Sequence, residues 1–364
     1  MVYQSEMKKY RISKKSIEFL SKLIDTPSPS GFEADVQQVY INYLKPFISN
    51  FDADVLGNVS AILNPDSDFK VMLAAHCDEI GLMVQYIDSN GFLVVNKIGG
   101  PNLSAFAGHK VLLRSNDGKW INGIIQRKAN CFSLEQMNDA GNYYVDIGIS
   151  SKEETLKVVS PGTPIVINRG IEKLSNTRYS SKAFDDKIGL FVIAETIRIL
   201  SETDLDIGVY AVSTVQEEVG TRGAETASFS INPDIGITVD VNGVSDFPSA
   251  TKKNVGEIEL GGGAVLVKGV NVNSKVDEIL TNSAKTEVIK TQVSPCPGIT
   301  GTDARTIQLA RNGVATGLVK IPLRYMHSPA EVLDMKDVEA SIDLLVSSIV
   351  SLKADTNFCP IKLN

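Results

Sequence analysis

The 364-residue sequence predicts a mostly parallel α/β sheet flanked by helices and interrupted by a small all-β domain. Helix-like and strand-like segments alternate near both ends of the chain, and such alternation produces parallel strands with helices on both faces. Between them lies a stretch of short strand-like runs with few helix signals. We therefore predict an α/β domain formed by residues 1–80 and 167–364 and an inserted β domain formed by residues 81–166.

The α/β domain is predicted to begin with two helices followed by two strands. Apolar residues recur at helical spacing over residues 13–24 and 32–45, and a Pro- and Gly-containing break at residues 27–31 separates the two helices. The apolar runs at residues 55–63 and 71–75 predict strands. After the insertion, the predicted elements are helix 186–200, strand 207–215, helix 224–230, strand 235–241, helices 276–286 and 301–311, strand 314–321 and helix 335–352.

The insertion has the patterning of short strands. Its runs are alternating or β-branched, and Gly, Asn and Asp punctuate them. One helix is predicted there, over residues 151–158. The predicted strands indicate a small barrel or sandwich, and they cover residues 82–87, 92–98, 110–113, 120–125, 143–147 and 163–166.

The composition excludes several classes of partner. The net charge of -7 argues against nucleic acid or an anionic membrane surface, because either would require a basic face. No apolar run approaches the ~18 residues of a membrane span, and the N-terminus lacks the apolar core of a signal peptide. The four cysteines are far apart, as expected for free thiols in a reducing compartment. We expect a cytoplasmic protein that binds neither nucleic acid nor membrane.

Two of the three histidines lie where metal ligands at strand ends would lie. His76 follows the run at residues 71–75, and His327 comes shortly after the run at residues 314–321. The carboxyl ends of parallel strands meet at one edge of a sheet, so these imidazoles should lie close to the acidic motifs that follow other runs. Nitrogen and oxygen ligands suit zinc or its neighbours. The acidic motifs are Asp185-Asp186, Glu217-Glu218 and Asp240.

Most of these acidic residues also have a structural explanation. Asp78 can accept the second ring N–H of a metal-bound His76. Asp185 can bridge two cations, although capping of the following helix is the alternative. The pair Glu217-Glu218 is harder to explain by structure alone, because two glutamates at a buried strand end are costly without a cation or a proton. One can bind metal while its neighbour, turned toward water, acts as a general base.

Five stretches of the chain resemble the glutamyl and tetrahedral aminopeptidases, which are co-catalytic metallopeptidases sometimes named cellulases in error. The resemblance extends over residues 12–352 and includes every residue type that the family uses at its metal site. Two departures are Cys77, where the family usually has Met, and residues 127–132, where it often has a Pro-Pro-His run. The matching stretches are Ala75-His-Cys-Asp-Glu-Ile-Gly81, Ser181-Lys-Ala-Phe-Asp-Asp-Lys-Ile-Gly189, Val215-Gln-Glu-Glu-Val-Gly-Thr-Arg-Gly223, Gly301-Thr-Asp-Ala304 and Pro322-Leu-Arg-Tyr-Met-His-Ser-Pro329.

The resemblance implies two divalent metal ions per subunit, zinc or cobalt. One ion would be bound by His76, Asp185 and Asp240. The other would be bound by Asp185, Glu218 and His327. Each of these positions has the residue type that the family pattern requires.

The resemblance further implies catalytic and substrate-binding residues. Glu217 would be the general base, and Asp78 would accept a hydrogen bond from the ring of the metal ligand His76. Thr302 and Asp303 are candidate substrate contacts, as is Arg324. Three cations are candidates for recognising an acidic substrate side chain, with a surface or structural role as the alternative for each: Lys268, Arg305 and Arg324.

The sequence thus predicts a dinuclear metal-dependent aminopeptidase that removes N-terminal residues from short peptides. A metal-dependent deacylase or carboxypeptidase on the same fold is one alternative, and a non-catalytic metal-binding scaffold is another. Glycoside hydrolysis by a carboxylate pair would leave the histidine motifs without a purpose. The resemblance also implies a PDZ-like insertion used in subunit assembly, and dimers that close into a homo-oligomeric dodecamer.

Overall fold

The computed structural model describes residues 9–248 and 250–361 and has an eight-stranded mixed sheet at its centre. Its first segment has the predicted order of two helices and then strands. The strand predicted over residues 55–63 begins only at Val59, because residues 54–57 form a turn in which Gly57 has a φ of +108°. The elements of this segment are α1 Lys14–Asp25, α2 Ala34–Leu44, β1 Asn50–Ala53, β2 Val59–Leu63 and β3 Lys70–His76.

The inserted stretch forms a closed six-stranded barrel with its own apolar core. All six predicted strands are confirmed, and so is the helix predicted over residues 151–158. A further short helix was not predicted, although Ser133 and Gln136 form a capping box at its start. The barrel order is β4-β5-β8-β7-β6-β9, with elements β4 Gly81–Ile87, β5 Leu93–Ile98, β6 Lys110–Arg114, β7 Trp120–Arg127, α3 Leu134–Asn138, β8 Tyr143–Asp146, α4 Lys152–Val158 and β9 Pro164–Ile167.

The third segment returns to the alternation of strands and helices. Of the helix predicted over residues 301–311, only Ala304–Ile307 is helical, so the rest of that prediction is wrong. Five strands of this segment were not predicted, and they are numbered β10, β11, β14, β15 and β17 below. The elements are β10 Glu172–Ser175, β11 Arg178–Ser181, α5 Phe184–Leu200, β12 Gly208–Thr214, α6 Arg222–Ile231, β13 Ile235–Gly243, α7 Lys252–Val255, β14 Ala264–Gly269, α8 Ser274–Thr286, β15 Thr291–Cys296, α9 Ala304–Ile307, β16 Ala315–Leu323, β17 Glu331–Asp334 and α10 Met335–Ser351.

The four central strands of the large sheet are parallel. Strands β12, β3, β13 and β16 lie side by side, so their carboxyl ends share one edge. The outer strands β1, β2 and β14 introduce antiparallel pairings, and β15 pairs parallel to β14. The sheet order is β1-β2-β12-β3-β13-β16-β14-β15. A mostly parallel sheet is therefore confirmed at the centre, whereas the sheet as a whole is mixed.

Helices cover both faces of this sheet, which explains why its central strands read as continuous apolar runs. Along β3, Val71 and Leu73 point into the larger core, to which α1, α5 and α10 contribute. Met72 and Ala74 point to the opposite face and pack with residues of α6 and α9. In the described residues, no helix is both long and apolar enough to cross a membrane.

A buried ion network connects the segment after β3 to the start of α5. Glu79 Oε2 lies 2.6 Å from Lys182 Nζ, and Glu79 Oε1 lies 2.8 Å from Lys187 Nζ. Lys187 also donates to the carbonyl oxygen of Thr26 at 2.8 Å. Burial lowers the pKa of Lys187 to about 8, and the two ammonium groups hold the pKa of Glu79 below its usual value against the effect of burial. The network therefore anchors the first turn of α5, which carries Asp185.

Candidate metal centre and active site

The predicted metal-site residues converge at the carboxyl edge of the central strands. His76 is the last residue of β3, and Glu217 and Glu218 follow β12. Asp240 lies near the end of β13, and His327 follows β16. Because these strands are parallel and in register, residues far apart in sequence reach one cavity, as the sequence pattern predicted.

The His76 ring is held between a backbone carbonyl and a carboxylate. Its Nδ1 lies 3.0 Å from the carbonyl oxygen of Asp78 and 3.3 Å from Asp78 Oδ1. Its Nε2 faces the opposite side, 3.3 Å from Asp185 Oδ1. Burial alone would lower the pKa of His76, but the surrounding carboxylates raise it well above its usual value. This arrangement leaves Nε2 as the atom that can bind a metal ion.

Asp78 connects His76 to the glutamate pair. Its buried carboxylate accepts the backbone N–H of Glu217 at 3.0 Å and that of Glu218 at 3.2 Å. It also accepts the hydroxyl of Ser30 at 2.7 Å. Burial would raise the pKa of Asp78, but these donors and His76 lower it. The contact predicted between Asp78 and His76 is present, and the carboxylate additionally orients the turn that carries both glutamates.

Asp185 lies between the two imidazoles. Its Oδ1 faces His76 Nε2, and its Oδ2 lies 3.3 Å from His327 Nε2. Burial would raise the pKa of Asp185, but the two histidines lower it below its usual range. A carboxylate with one oxygen toward each imidazole has the geometry of a ligand shared by two cations.

His327 is fixed by the barrel as well as by its own loop. Its Nδ1 lies 2.9 Å from the carbonyl oxygen of Gly100, and its carbonyl oxygen accepts the N–H of Asn102 at 3.0 Å. Its Nε2 lies 3.3 Å from Glu218 Oε1. A Cβ atom at Gly100 would lie 3.3 Å from the ring, and one at Gly99 would lie 3.1 Å from the Glu218 side chain. The barrel loop therefore needs small residues where it contacts both candidate ligands.

Glu331 is a residue of the site that the sequence analysis missed. Its buried carboxylate accepts the backbone N–H of Asp185 at 3.1 Å and that of His327 at 3.0 Å. One side chain thus connects two candidate ligands from distant parts of the chain. The available signal was its position at the end of the run His327-Ser-Pro-Ala-Glu331, directly after the metal-site motif.

Both glutamates of the pair are largely buried. The side chain of Glu217 is 9% exposed and that of Glu218 is 5% exposed, so the predicted general base, Glu217, is only slightly exposed to water. Glu217 Oε2 lies 3.8 Å from His76 Nε2. Burial, with the nearby charge of Asp240, raises the pKa of Glu217 to about 10. An ionised Glu217 therefore requires positive charge nearby.

The donor atoms of the site fit divalent cations. Donor atoms of His76, Asp185 and Glu218 lie within 4.8 Å of one another, and so do those of His76, Asp186 and Asp240. The sequence analysis did not include Asp186 among the ligands. Asp186 Oδ2 is buried without a hydrogen-bond donor among the described residues, and Glu218 Oε1 accepts no hydrogen bond there, although His327 Nε2 lies 3.3 Å from it. Buried carboxylate oxygens in this state are suited to a cation, and the nitrogen and oxygen donors suit zinc or cobalt.

The site opens into a cavity of about 270 Å³. Thr302, Asp303 and Arg324 do not line it, so their contact with substrate remains a prediction. Asp303 accepts the hydroxyl of Thr214 at 2.6 Å, and the guanidinium of Arg324 forms two hydrogen bonds to the carboxylate of Asp246. The lining residues are His76, Asp185, Glu217, Glu218, Gly220, Thr221, Asp240, Val241, Gly301, Arg305, Lys320, Met326 and His327.

Comparison with known proteins places this site in a family. Residues 57–344 match the family described as M42 glutamyl aminopeptidase. The chain belongs to the M42 family. It is therefore a peptide hydrolase, and the family resemblance inferred from the sequence is confirmed.

Individual members of the family are similar over nearly their whole length. Lysyl aminopeptidase from Pyrococcus furiosus is 37% identical over 342 residues, which cover 92% of this chain and 97% of that relative. A TET aminopeptidase structure from Thaumarchaeota archaeon SCGC AB-539-E09 has a TM-score of 0.87 at 33% identity and covers 93% of this chain and 96% of that one. The TET1 peptidase of Pyrococcus horikoshii, which can assemble into a tetrahedron or a large octahedral shell, has a TM-score of 0.82 at 27% identity and covers 93% of this chain and 100% of that one.

We expect the substitution Glu331→Gln to weaken metal binding on the order of 10–100-fold, which is usual when a group that orients a ligand is altered. The amide keeps one acceptor oxygen, so only one of the two backbone N–H groups remains bonded. Metal affinity is measured by calorimetric titration, and circular dichroism checks the fold. The control Glu278→Gln changes an exposed carboxylate paired with Lys275. Equal metal affinity in both variants would show that Glu331 does not orient the ligands.

Proposed function

We propose that the protein is a dinuclear metal-dependent aminopeptidase that removes the N-terminal residue of short peptides. In this proposal His76, Asp185 and Asp240 bind one metal ion. Asp185, Glu218 and His327 bind the other, with Asp185 shared. The observation that carries the proposal is the placement of Asp185, whose two carboxylate oxygens each face the Nε2 atom of one histidine.

Glu217 is the proposed general base. Bound metal ions would supply Lewis acidity at the scissile carbonyl and at the attacking water. Glu217 would accept a proton from that water on its carboxylate and deliver it to the nitrogen of the leaving amine. Its position supports this role, because it lines the cavity while its carboxylate stays 3.8 Å from His76. Asp78 would keep His76 and the Glu217 backbone in place through its hydrogen bonds.

Family membership favours an aminopeptidase over the alternative hydrolases. The matching family is described as M42 glutamyl aminopeptidase, and the Pyrococcus furiosus relative is a lysyl aminopeptidase. A cytoplasmic location is part of the proposal. It is supported by the four cysteines, which are all free, as is usual in a reducing compartment.

We also propose that the protein assembles into a dodecamer built from dimers, in which the barrel is a PDZ-like domain that makes subunit contacts. The assembly of the related TET1 peptidase into closed shells supports this proposal. Phe132 is the last residue of the segment that departs from the family pattern, and Leu134 lies two residues beyond it; each is 78% exposed. Exposed apolar side chains of this kind are typical of association surfaces. A closed shell would admit short peptides and exclude folded proteins.

Chelation should abolish hydrolysis of aminoacyl p-nitroanilides, and added zinc or cobalt should restore it. N-acetylation of a test peptide should block hydrolysis, because the proposed reaction requires a free N-terminal amine. Both effects are measured by detecting the released amino acids with mass spectrometry. Activity that survives exhaustive chelation contradicts the metal site, whereas undiminished cleavage of the acetylated peptide indicates a deacylase or another peptidase.

The substitution Glu217→Gln should reduce kcat on the order of 10²–10⁴-fold, the usual effect of removing a general base. It should leave metal binding intact, because Glu217 is not among the proposed ligands. The neighbouring substitution Glu218→Gln is the matched variant and should lose metal. Calorimetric metal titration and single-turnover kinetics separate the two effects. Metal loss with Glu217→Gln instead would mean that the roles of the two glutamates are exchanged.

Light scattering on the metal-loaded protein should give a mass near that of twelve chains of 39.3 kDa. The double substitution of Phe132 and Leu134 by Ser should reduce this mass, because it removes apolar area that association would bury. A wild-type mass of one chain contradicts the assembly proposal. A stable dimer would contradict the dodecamer but not the association of subunits.

A further inference from the structure

Two cations of the active-site cavity have no partner among the described residues. Lys320 and Arg305 both line the cavity, and both side chains are partly buried. Neither forms an ion pair or a side-chain hydrogen bond within the described parts of the chain. The other two cations considered from the sequence are already paired, Lys268 with Asp277 and Arg324 with Asp246. Lys320 and Arg305 thus line the cavity without an ion-pair partner among the described residues.

The strand register directs Lys320 toward the metal site. Lys320 on β16 is the register partner of Asp240 on β13. Partner residues on neighbouring parallel strands present their side chains on the same face of the sheet. Lys320 therefore lies on the same face of the sheet as Asp240 and lines the same cavity, and no carboxylate among the described residues forms an ion pair with it.

Arg305 reaches the same cavity from a different element. It lies on α9, immediately after the stretch Gly301-Thr-Asp-Ala304, and Gly301 also lines the cavity. A guanidinium offers two parallel N–H donors that match the two oxygens of a carboxylate. A lysine ammonium and an arginine guanidinium that line one cavity form a suitable environment for a single carboxylate.

The carboxylates of the cavity cannot neutralise these two cations if the proposed function is correct. Asp185, Glu218 and Asp240 are then bound to metal, and Glu217 is the general base. The positive charge of Lys320 and Arg305 remains available to substrate. A substrate ammonium placed there would meet like charges with no counter-ion, which is unfavourable in a partly buried site.

We infer that Lys320 and Arg305 form a subsite for a carboxylate of the substrate. This inference rests on the proposed aminopeptidase function and adds a substrate class to it. The carboxylate can belong to an acidic N-terminal side chain or to the free C-terminus of a dipeptide. If the carboxylate belongs to an acidic N-terminal side chain, an N-terminal lysine is disfavoured at the same subsite. The chain then differs in preference from the lysyl aminopeptidase to which it is 37% identical.

The experiment compares substrates that differ by one carboxylate. Glutamyl and glutaminyl p-nitroanilides are nearly isosteric and lack a free C-terminal carboxylate, so their kcat/KM ratio reports recognition of the side chain. The dipeptide Ala-Ala and its C-terminal amide report recognition of the C-terminus. Leucyl and lysyl p-nitroanilides complete the set. In the wild-type enzyme at least one carboxylate-to-amide ratio should be on the order of 10–100. If it is the glutamyl-to-glutaminyl ratio, the lysyl substrate should be among the poorest.

Each of the variants Lys320→Gln and Arg305→Gln should lower the same ratio on the order of 10-fold, because one charged hydrogen-bond donor is removed. The control Lys275→Gln removes an exposed lysine paired with Glu278 and should leave both ratios at the wild-type value. A fall in the glutamyl-to-glutaminyl ratio identifies an acidic side chain as the ligand. A fall in the dipeptide ratio identifies the C-terminus.

Three results would overturn the inference. One is a wild-type enzyme that hydrolyses the leucyl substrate but shows no carboxylate preference, which leaves the aminopeptidase function intact. Another is an equal loss on all substrates in Lys320→Gln together with altered metal affinity, which would assign Lys320 to balancing the charge of Asp240. The third is an absence of hydrolysis of every aminoacyl substrate by the metal-loaded enzyme, and only this result also refutes the proposed function.

Discussion

The burial of several carboxylates at one edge of the sheet is the constraint on which the site depends. Burial raises the pKa of Asp186, Glu217 and Asp240, and burial with the charge of Asp185 raises that of Glu331. Asp185 alone among these five is held below its usual range, because imidazoles face both of its oxygens. So much negative charge in a poorly hydrated place must be balanced by protons or by cations.

The surrounding structure provides a rigid frame for this charge. Backbone N–H groups supply much of the support: Asp78 accepts two of them from the glutamate turn, and Glu331 accepts two from the candidate ligands. Lys182 and Lys187 fix Glu79, which follows His76 by three residues along the chain. These interactions join protein groups to one another and so restrain the positions of the donor atoms, and a restrained set of donors lowers the cost of binding an ion.

The strand-end residues could be predicted from sequence because an apolar run followed by His or Glu locates a residue on the carboxyl edge of a parallel sheet. The predictions failed where pairing between distant segments decides the structure. Strand β15 contains Pro295 and pairs with β14 alone, so its sequence gives a weak strand signal. Glu331 and Lys320 were missed because their importance comes from the residues that the fold brings beside them, and neither has a distinctive motif of its own.

The contact between the barrel and His327 bears on how far the enzyme can be shortened. Two residues of the inserted stretch contact His327. The carbonyl oxygen of Gly100 lies beside His327 Nδ1, and the N–H of Asn102 donates to the His327 carbonyl oxygen. Excision of that stretch would leave an α/β remnant with its sheet order unchanged but with one imidazole free to rotate. The smallest catalytic unit that keeps His327 oriented therefore includes the part of the inserted stretch that carries Gly100 and Asn102.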